Sequence, residues 1–162
     1  MFGDMLGKTY DTQVCSIARS LEMVGERWSL LIIRDALFAR VTRFGDFQHN
    51  LGIATNVLTS RLESFVAAGI MERAGGADYV LTPKGRALAV SLIALTEWGD
   101  EWASPVDPPI LYRHSVCDNA VHATTTCDAC GAVPADEVAV KIGPGMPAEY
   151  LAARRGGFRA SS

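Results

Sequence analysis

Three of the four cysteines and two of the three histidines fall between His114 and Cys130. The stretch His114-x2-Cys117-x9-Cys127-x2-Cys130-Gly131 sets out two ligand pairs, each with a three-residue separation. A tetrahedral zinc site draws on this arrangement, because two tight turns can each present two ligands to one ion. Gly131 supplies the freedom for positive φ that such a turn needs. The expectation is one structural Zn2+ per chain on His114, Cys117, Cys127 and Cys130, with His122 the alternative fourth ligand between strand-like Val121 and Ala123. Such a closed set leaves no coordination position for water, so no enzyme activity is expected. A deaminase-type zinc needs His-x-Glu and Pro-Cys-x-x-Cys; here the residues are His122-Ala123-Thr124 and Thr126-Cys127. A Cys-x-x-Cys redox pair and incidental cysteines remain as alternatives.

A second constellation points to nucleic acid. Thr55, Asn56, Thr59, Ser60 and Arg61 lie opposite Leu58, Leu62, Phe65 and Val66 if residues 55–68 are helical. Asn reads adenine bidentately, Arg reads guanine or clamps phosphate, and Thr or Ser does either more weakly. Arg43 and Arg73 are candidate flanking contacts to DNA. Glu63 repels phosphate unless it faces away from the backbone or accepts from a cytosine. The bland alternative is an ordinary solvated helix face.

The elements around these residues give that face a context. Val14, Ile17, Ala18, Leu21 and Val24 recur at helical spacing, with Gly25 as a stop, and residues 28–38 are apolar nearly all round, as a central helix must be. Thr42 is placed to cap a short helix carrying Phe44, Phe47 and Leu51, which Gly52 breaks before a second capping residue, Thr55. Gly69 ends the following helix, and strand-like runs at 70–73 and 79–82 flank a Gly75-Gly76 tip. Thr82-Pro83 opens one further helix with an apolar stripe of Leu88, Leu92, Leu95, Trp98 and Trp102, ended by Pro105, Pro108 and Pro109. The predicted fold is mainly α with a small β-hairpin wing, a winged helix-turn-helix, plus a small Cys-rich β-type C-terminal module. The corresponding units are a DNA-binding and dimerisation domain at 1–104, a Pro-rich linker at 105–109, a zinc-ribbon-like module at 110–146 and a flexible tail at 147–162.

Composition fits that division and narrows the function. The chain has 162 residues, 49% of them hydrophobic, and a net charge of -3, which excludes a disordered polyampholyte and a broadly cationic coat for nucleic acid. By segment, 27–61 hold five arginines against Asp35 and Asp46, a net of +3, while 62–104 are net -3. A local positive patch suffices for phosphate contacts. The longest apolar stretch, 87–95, is too short to span a bilayer, and residues 1–11 lack the pattern of a cleaved leader. The expected location is the cytoplasm, where thiols stay reduced.

Cys15-Ser16-Ile17-Ala18, followed by Val24-Gly25-Glu26-Arg27-Trp28-Ser29-Leu30-Leu31-Ile32-Ile33-Arg34, resembles the start of HxlR-type transcriptional regulators, winged-helix relatives of the MarR group. Arg43-Phe44-Gly45-Asp46-Phe47 is similar to the family's Arg-Phe-x-Glu-Leu segment, Leu58-Thr59-Ser60-Arg61-Leu62 to its recognition helix, and Tyr79-x-Leu81-Thr82-x-x-Gly85 to its wing exit. The resemblance covers roughly residues 14–103. It departs from the pattern in a shortened wing and in Phe47 where Leu is frequent; the Cys-rich stretch lies outside it.

The resemblance implies a homodimer on double-stranded DNA at a pseudo-palindromic operator, with helices from both chain ends forming the dimer interface. Trp98 and Trp102 are large apolar groups that a lone winged helix would struggle to cover, unless they fold back onto helix one. In some relatives the cysteine at the start of helix one senses oxidants. Cys15 stands at that position, where a helix N-terminus lowers a thiol pKa and Arg19 is the candidate cation; a small buried hydrophobe is the alternative. A small-molecule effector in a pocket lined by Trp28, Trp98 and Trp102 at the dimer interface is a further expectation, with plain core packing of these aromatics as its alternative; the alternative function is an adaptor that kept the fold and lost DNA binding.

Overall fold

The computed structural model describes residues 9–104 and 106–155. The leader reading at 1–8, the helix-ending role of Pro105 and the last tail residues, 156–162, lie outside the described residues. Four helices, a hairpin and a broken helix follow in order: α1 (Ser16–Val24), α2 (Ser29–Phe38), α3 (Phe44–Leu51), α4 (Thr55–Ala67), β1 (Met71–Ala74), β2 (Asp78–Leu81), α5 (Pro83–Arg86) and α6 (Ala89–Trp102). This is the predicted winged helix-turn-helix.

The core is built from the periodic apolar residues of the middle helices. Ile32 and Ile33 of α2, Phe47 of α3 and Leu58, Leu62 and Phe65 of α4 are fully buried, and Ile70, Met71, Tyr79 and Leu81 of the hairpin close over them. Gly52, at φ 62, lets the chain turn sharply from α3 into α4. The wing pairs Met71 with Leu81 and Ala74 with Asp78 in antiparallel register, and Gly75 and Gly76 take the positive φ of its tip. An isolated bridge from Arg43 to Asp78, with Tyr79 N donating to Thr42 O at 2.8 Å, ties the tip-side end of β2 to the start of α3.

Several local expectations are corrected. Thr42 and Thr55 are not the caps: Arg43 and Ala54 hold those positions without side-chain cap bonds, and Thr55 is the first residue inside α4. Thr82 does cap, accepting from Gly85 N, with Pro83 next to it. The helix it opens is two helices, because Leu88 N donates to Gly85 O, a tight i−3 bond that interrupts the i−4 ladder between α5 and α6. On α1 only Ala18 and Val24 are buried; Ile17 and Leu21 face outward. Leu92 of α6 reaches the core, whereas Leu95, Trp98 and Trp102 are exposed and do not fold back onto α1.

Past α6 the chain forms two small hairpin turns, a 3-10 turn (Ala135–Glu137) and a last helix, α7 (Ala148–Ala153), within the stretch read as tail. One turn is closed by an Arg113–Ala120 bridge, and the other by β3 (Thr126–Cys127) against β4 (Gly131–Ala132). Among the described residues after Leu92, none is buried.

Candidate nucleic-acid interface

The inner face of α4 is locked by Leu58, Leu62 and Phe65, so its other residues must project from the domain. Thr55, Asn56 and Ser60 are exposed, and Thr59 is half-buried. Thr59 Oγ1 donates to Thr55 O at 2.8 Å, and Gln48 Nε2 of α3 donates to Thr55 Oγ1 at 2.6 Å. Gln48 therefore sets the Thr55 hydroxyl from the neighbouring helix, a role with no signal in sequence spacing.

Arg61 sits differently from the groove-reading group its position suggested. Its side chain is 23% exposed and its Nε lies 3.8 Å from Glu26 Oε2. Glu26 also accepts from Trp28 N at 3.1 Å, so one carboxylate joins the entrance of α2 to the middle of α4. Glu63 is exposed.

Cations flank this face. Arg43 is 77% exposed at the N-terminal end of α3, 3.8 Å from Asp78 Oδ1. The Arg73 guanidinium lies 4.8 Å from the Tyr79 ring centroid, on the strand pair next to the one that closes the wing tip. Lys84 Nζ donates to Ala68 O at 2.7 Å and so sits beside the C-terminal end of α4.

Cys15 is exposed at the N-cap of α1. The backbone N–H groups of Ala18 and then Ile17 hold its thiol below the ordinary value, with a smaller coulombic pull from Arg154. Arg19 does not serve it: its guanidinium contacts Glu22, at 2.7 Å, and the carbonyls of Tyr10 and Gln13.

In the Cys-rich region the side chains gather by pairs. His114 Nδ1 and Cys117 Sγ are 3.2 Å apart, and the Cys127 thiol is held low by the N–H groups of Ala129 and Cys130 and by the Cys130 side chain. His122 is engaged elsewhere, its Nδ1 2.7 Å from Glu97 Oε1 on α6. Among the described residues no three His, Cys, Asp or Glu side chains are close enough together to hold a metal ion.

Of the three tryptophans, Trp28 is half-buried against the core, with the Arg27 guanidinium 5.4 Å from its ring centroid, and Trp98 and Trp102 face solvent. A cavity of about 410 Å3 lies between α6 and the following segment, lined by Thr96, Glu97, Ile110, Tyr112 and His122 among others.

Comparison with known proteins bears on the whole arrangement. A family model described as HxlR-like helix-turn-helix matches residues 23–107. The chain is 40% identical over 142 residues to the uncharacterized HTH-type transcriptional regulator Rv3095 of Mycobacterium tuberculosis, covering 83% of this chain and 89% of that one. The crystal structure of PA1607, described as a candidate transcription factor, superposes with a TM-score of 0.69 at 34% identity over 79% of this chain and 94% of the other. PA1374 from Pseudomonas aeruginosa, described in similar terms, gives 0.59 at 35% identity over 84% and 97%. A 142-residue match is longer than the winged domain, so the likeness to Rv3095 extends beyond that domain.

Proposed function

From the premise that this chain belongs to the HxlR-like helix-turn-helix family, we propose that it is a dimeric, sequence-specific DNA-binding regulator of transcription rather than an enzyme. The observation that carries the reading is α4: Thr55, Asn56 and Ser60 stand exposed at its N-terminal half, on a helix whose opposite face is fully buried. In a helix-turn-helix, that end of the second helix enters the major groove. Arg43 and Arg73, to either side, neutralise phosphates and fix the register. Arg61 positions α4 against Glu26 more than it reads bases.

Dimerisation rests on the apolar groups that one chain leaves uncovered. Ile17 and Leu21 on α1 and Leu95, Trp98 and Trp102 on α6 are exposed. A second copy covers them and sets two recognition helices about 34 Å apart, one turn of DNA. The exposed, low-pKa Cys15 beside α1 makes an oxidant the favoured effector.

The test is a salt titration of binding to DNA from upstream of the chain's own gene. Affinity should fall steeply as salt rises, with log K losing about 0.9 per phosphate neutralised for each decade of salt. A flat response, or no binding in low salt, would leave a winged-helix adaptor for other proteins, a reading that the exposed Glu63 and the cation-free wing tip would suit.

A further inference from the structure

The segment after α6 folds without a core. Hairpin pairs and a 3-10 turn order it, yet none of its described residues is buried, and Ile110, Leu111, Val116, Val138, Val140 and Ile142 all lie exposed. Its inward contacts are few, Tyr112 against Phe38 at 4.8 Å between ring centroids and His122 with Glu97, and a unit of about 40 residues with so little of a core usually draws stability from disulfides, a metal or association.

Its two turns share one design. In the first, His114 and Cys117 are followed by Asp118 at φ 55, a left-handed conformation uncommon outside glycine. Asp118 N donates to His114 O at 2.8 Å, His114 N to Asn119 O at 2.9 Å, and Arg113 Nη1 to Asp118 O at 2.7 Å, which holds the tip in that shape. In the second, Cys127 and Cys130 are followed by Gly131 at φ 78, closed by the Cys127–Gly131 pair and by Val133 N donating to Thr125 O at 3.0 Å. Each turn thus has ligand, two residues, ligand, left-handed residue.

Backbone N–H groups point at the sulfurs in both: that of Asn119 at Cys117, and those of Ala129 and Cys130 at Cys127. Thiolate ligands accept such bonds, and second-shell donors of this kind orient them. The His114 Nδ1 to Cys117 Sγ separation of 3.2 Å is near the nitrogen–sulfur edge of about 3.5 Å that zinc bonds of about 2.0 and 2.3 Å produce in a tetrahedron.

We propose that these turns are two half-sites which Zn2+ draws together, with His114, Cys117, Cys127 and Cys130 as its four ligands and the metal as the missing core of the C-terminal module. Among the described residues the two pairs do not meet in one cluster, so binding requires the two turns to approach each other. Nine residues separate Cys117 from Cys127, a tether that reaches up to about 30 Å, so chain length does not oppose closure. One imidazole and three thiolates in tetrahedral array suit zinc above harder cations. His114 rather than His122 completes the set, because His114 is already paired with Cys117 at 3.2 Å while the His122 ring is turned to Glu97 of α6. A simple dithiol pair at Cys127 and Cys130 would leave the matching build of the first turn without a purpose.

The full chain, reduced, stripped with a chelator and titrated with Zn2+ against a chromophoric chelator, should take up about one zinc per chain. Co2+ in its place should give the charge-transfer and ligand-field absorption of a tetrahedral thiolate site. Cys117→Ser and Cys127→Ser, one from each turn, should each bring uptake close to zero, while Cys15→Ser and His122→Ala leave it unchanged. Uptake that survives Cys117→Ser, or is lost with His122→Ala, overturns the four-ligand assignment. A chain that takes up no zinc overturns it too, and a Cys127–Cys130 disulfide formed in air would then assign the pair to redox chemistry.

Discussion

On the proposed function Asn56 reads a base and Arg43 meets a phosphate, and their substitutions should separate accordingly. Asn56→Ala removes a bidentate base reader and should cost about 1–3 kcal/mol on the specific site, with the salt slope unchanged. Arg43→Ala removes a phosphate contact, so binding should weaken on specific and random DNA alike and the salt slope should fall by about one. Anisotropy titrations on both DNAs at several salt concentrations check the pair of outcomes. At Cys15 the N–H groups of Ala18 and Ile17 favour the thiolate. Below its pKa the thiol is protonated and inert, so a lowered pKa moves reactivity toward lower pH. Its alkylation rate should therefore rise with pH along a curve displaced to the acid side of that of an unstructured cysteine peptide, and denaturant should abolish the displacement. The types of these residues were readable in the sequence because polar groups opposite a Leu58–Leu62–Phe65 stripe must face outward. Their partners were not: Glu26 and Arg61 are 35 positions apart, and Gln48 reaches Thr55 only through the turn at Gly52.

At the level of elements, the junction of wing and α5 is the tightest point in the fold. A Cβ on Gly85 would collide with the Ile70 carbonyl and the Leu81 side chain. Thr82 Oγ1 meanwhile donates to Gly69 O at 2.7 Å, and Arg86 Nη1 donates to Leu81 O. Gly85→Ala should accordingly cost about 1–3 kcal/mol by overpacking, whereas Gly45→Ala, with open space at its Cβ, should be neutral or stabilising by up to about 1 kcal/mol. Urea midpoints at constant m-value measure both. Element order and type follow from period and punctuation, which is why the helices and the wing could be placed in advance. Boundaries did not: Thr42 and Thr55 are good capping residues, but the wing takes the Thr42 carbonyl and Gln48 the Thr55 hydroxyl. The break between α5 and α6 was equally hidden, since one tight turn at Ala87 and Leu88 barely disturbs the spacing of Leu88, Leu92 and Leu95.

For the whole molecule, the proposed dimer rests on the uncovered face of α1 and α6. Trp98→Ala with Trp102→Ala should convert a dimer to monomers by sedimentation velocity, since anchors of this kind carry about 2 kcal/mol or more each; operator affinity should fall with it, and a monomeric wild type would remove the dimer. Net charge over the full chain concealed the positive segment at 27–61, and the apolar stripe from Leu88 to Trp102 concealed that Leu88 and Leu92 face the subunit's own core while Leu95, Trp98 and Trp102 do not. Both are properties of placement, which totals and periods do not carry. That none of the described residues after Leu92 is buried also has a meaning in time. Amide hydrogens of α4 and the β1–β2 hairpin should exchange with solvent only through global unfolding, and those beyond α6 through cheap local openings. A protease should find the same hierarchy, cutting first between α6 and α7 and leaving the winged domain whole.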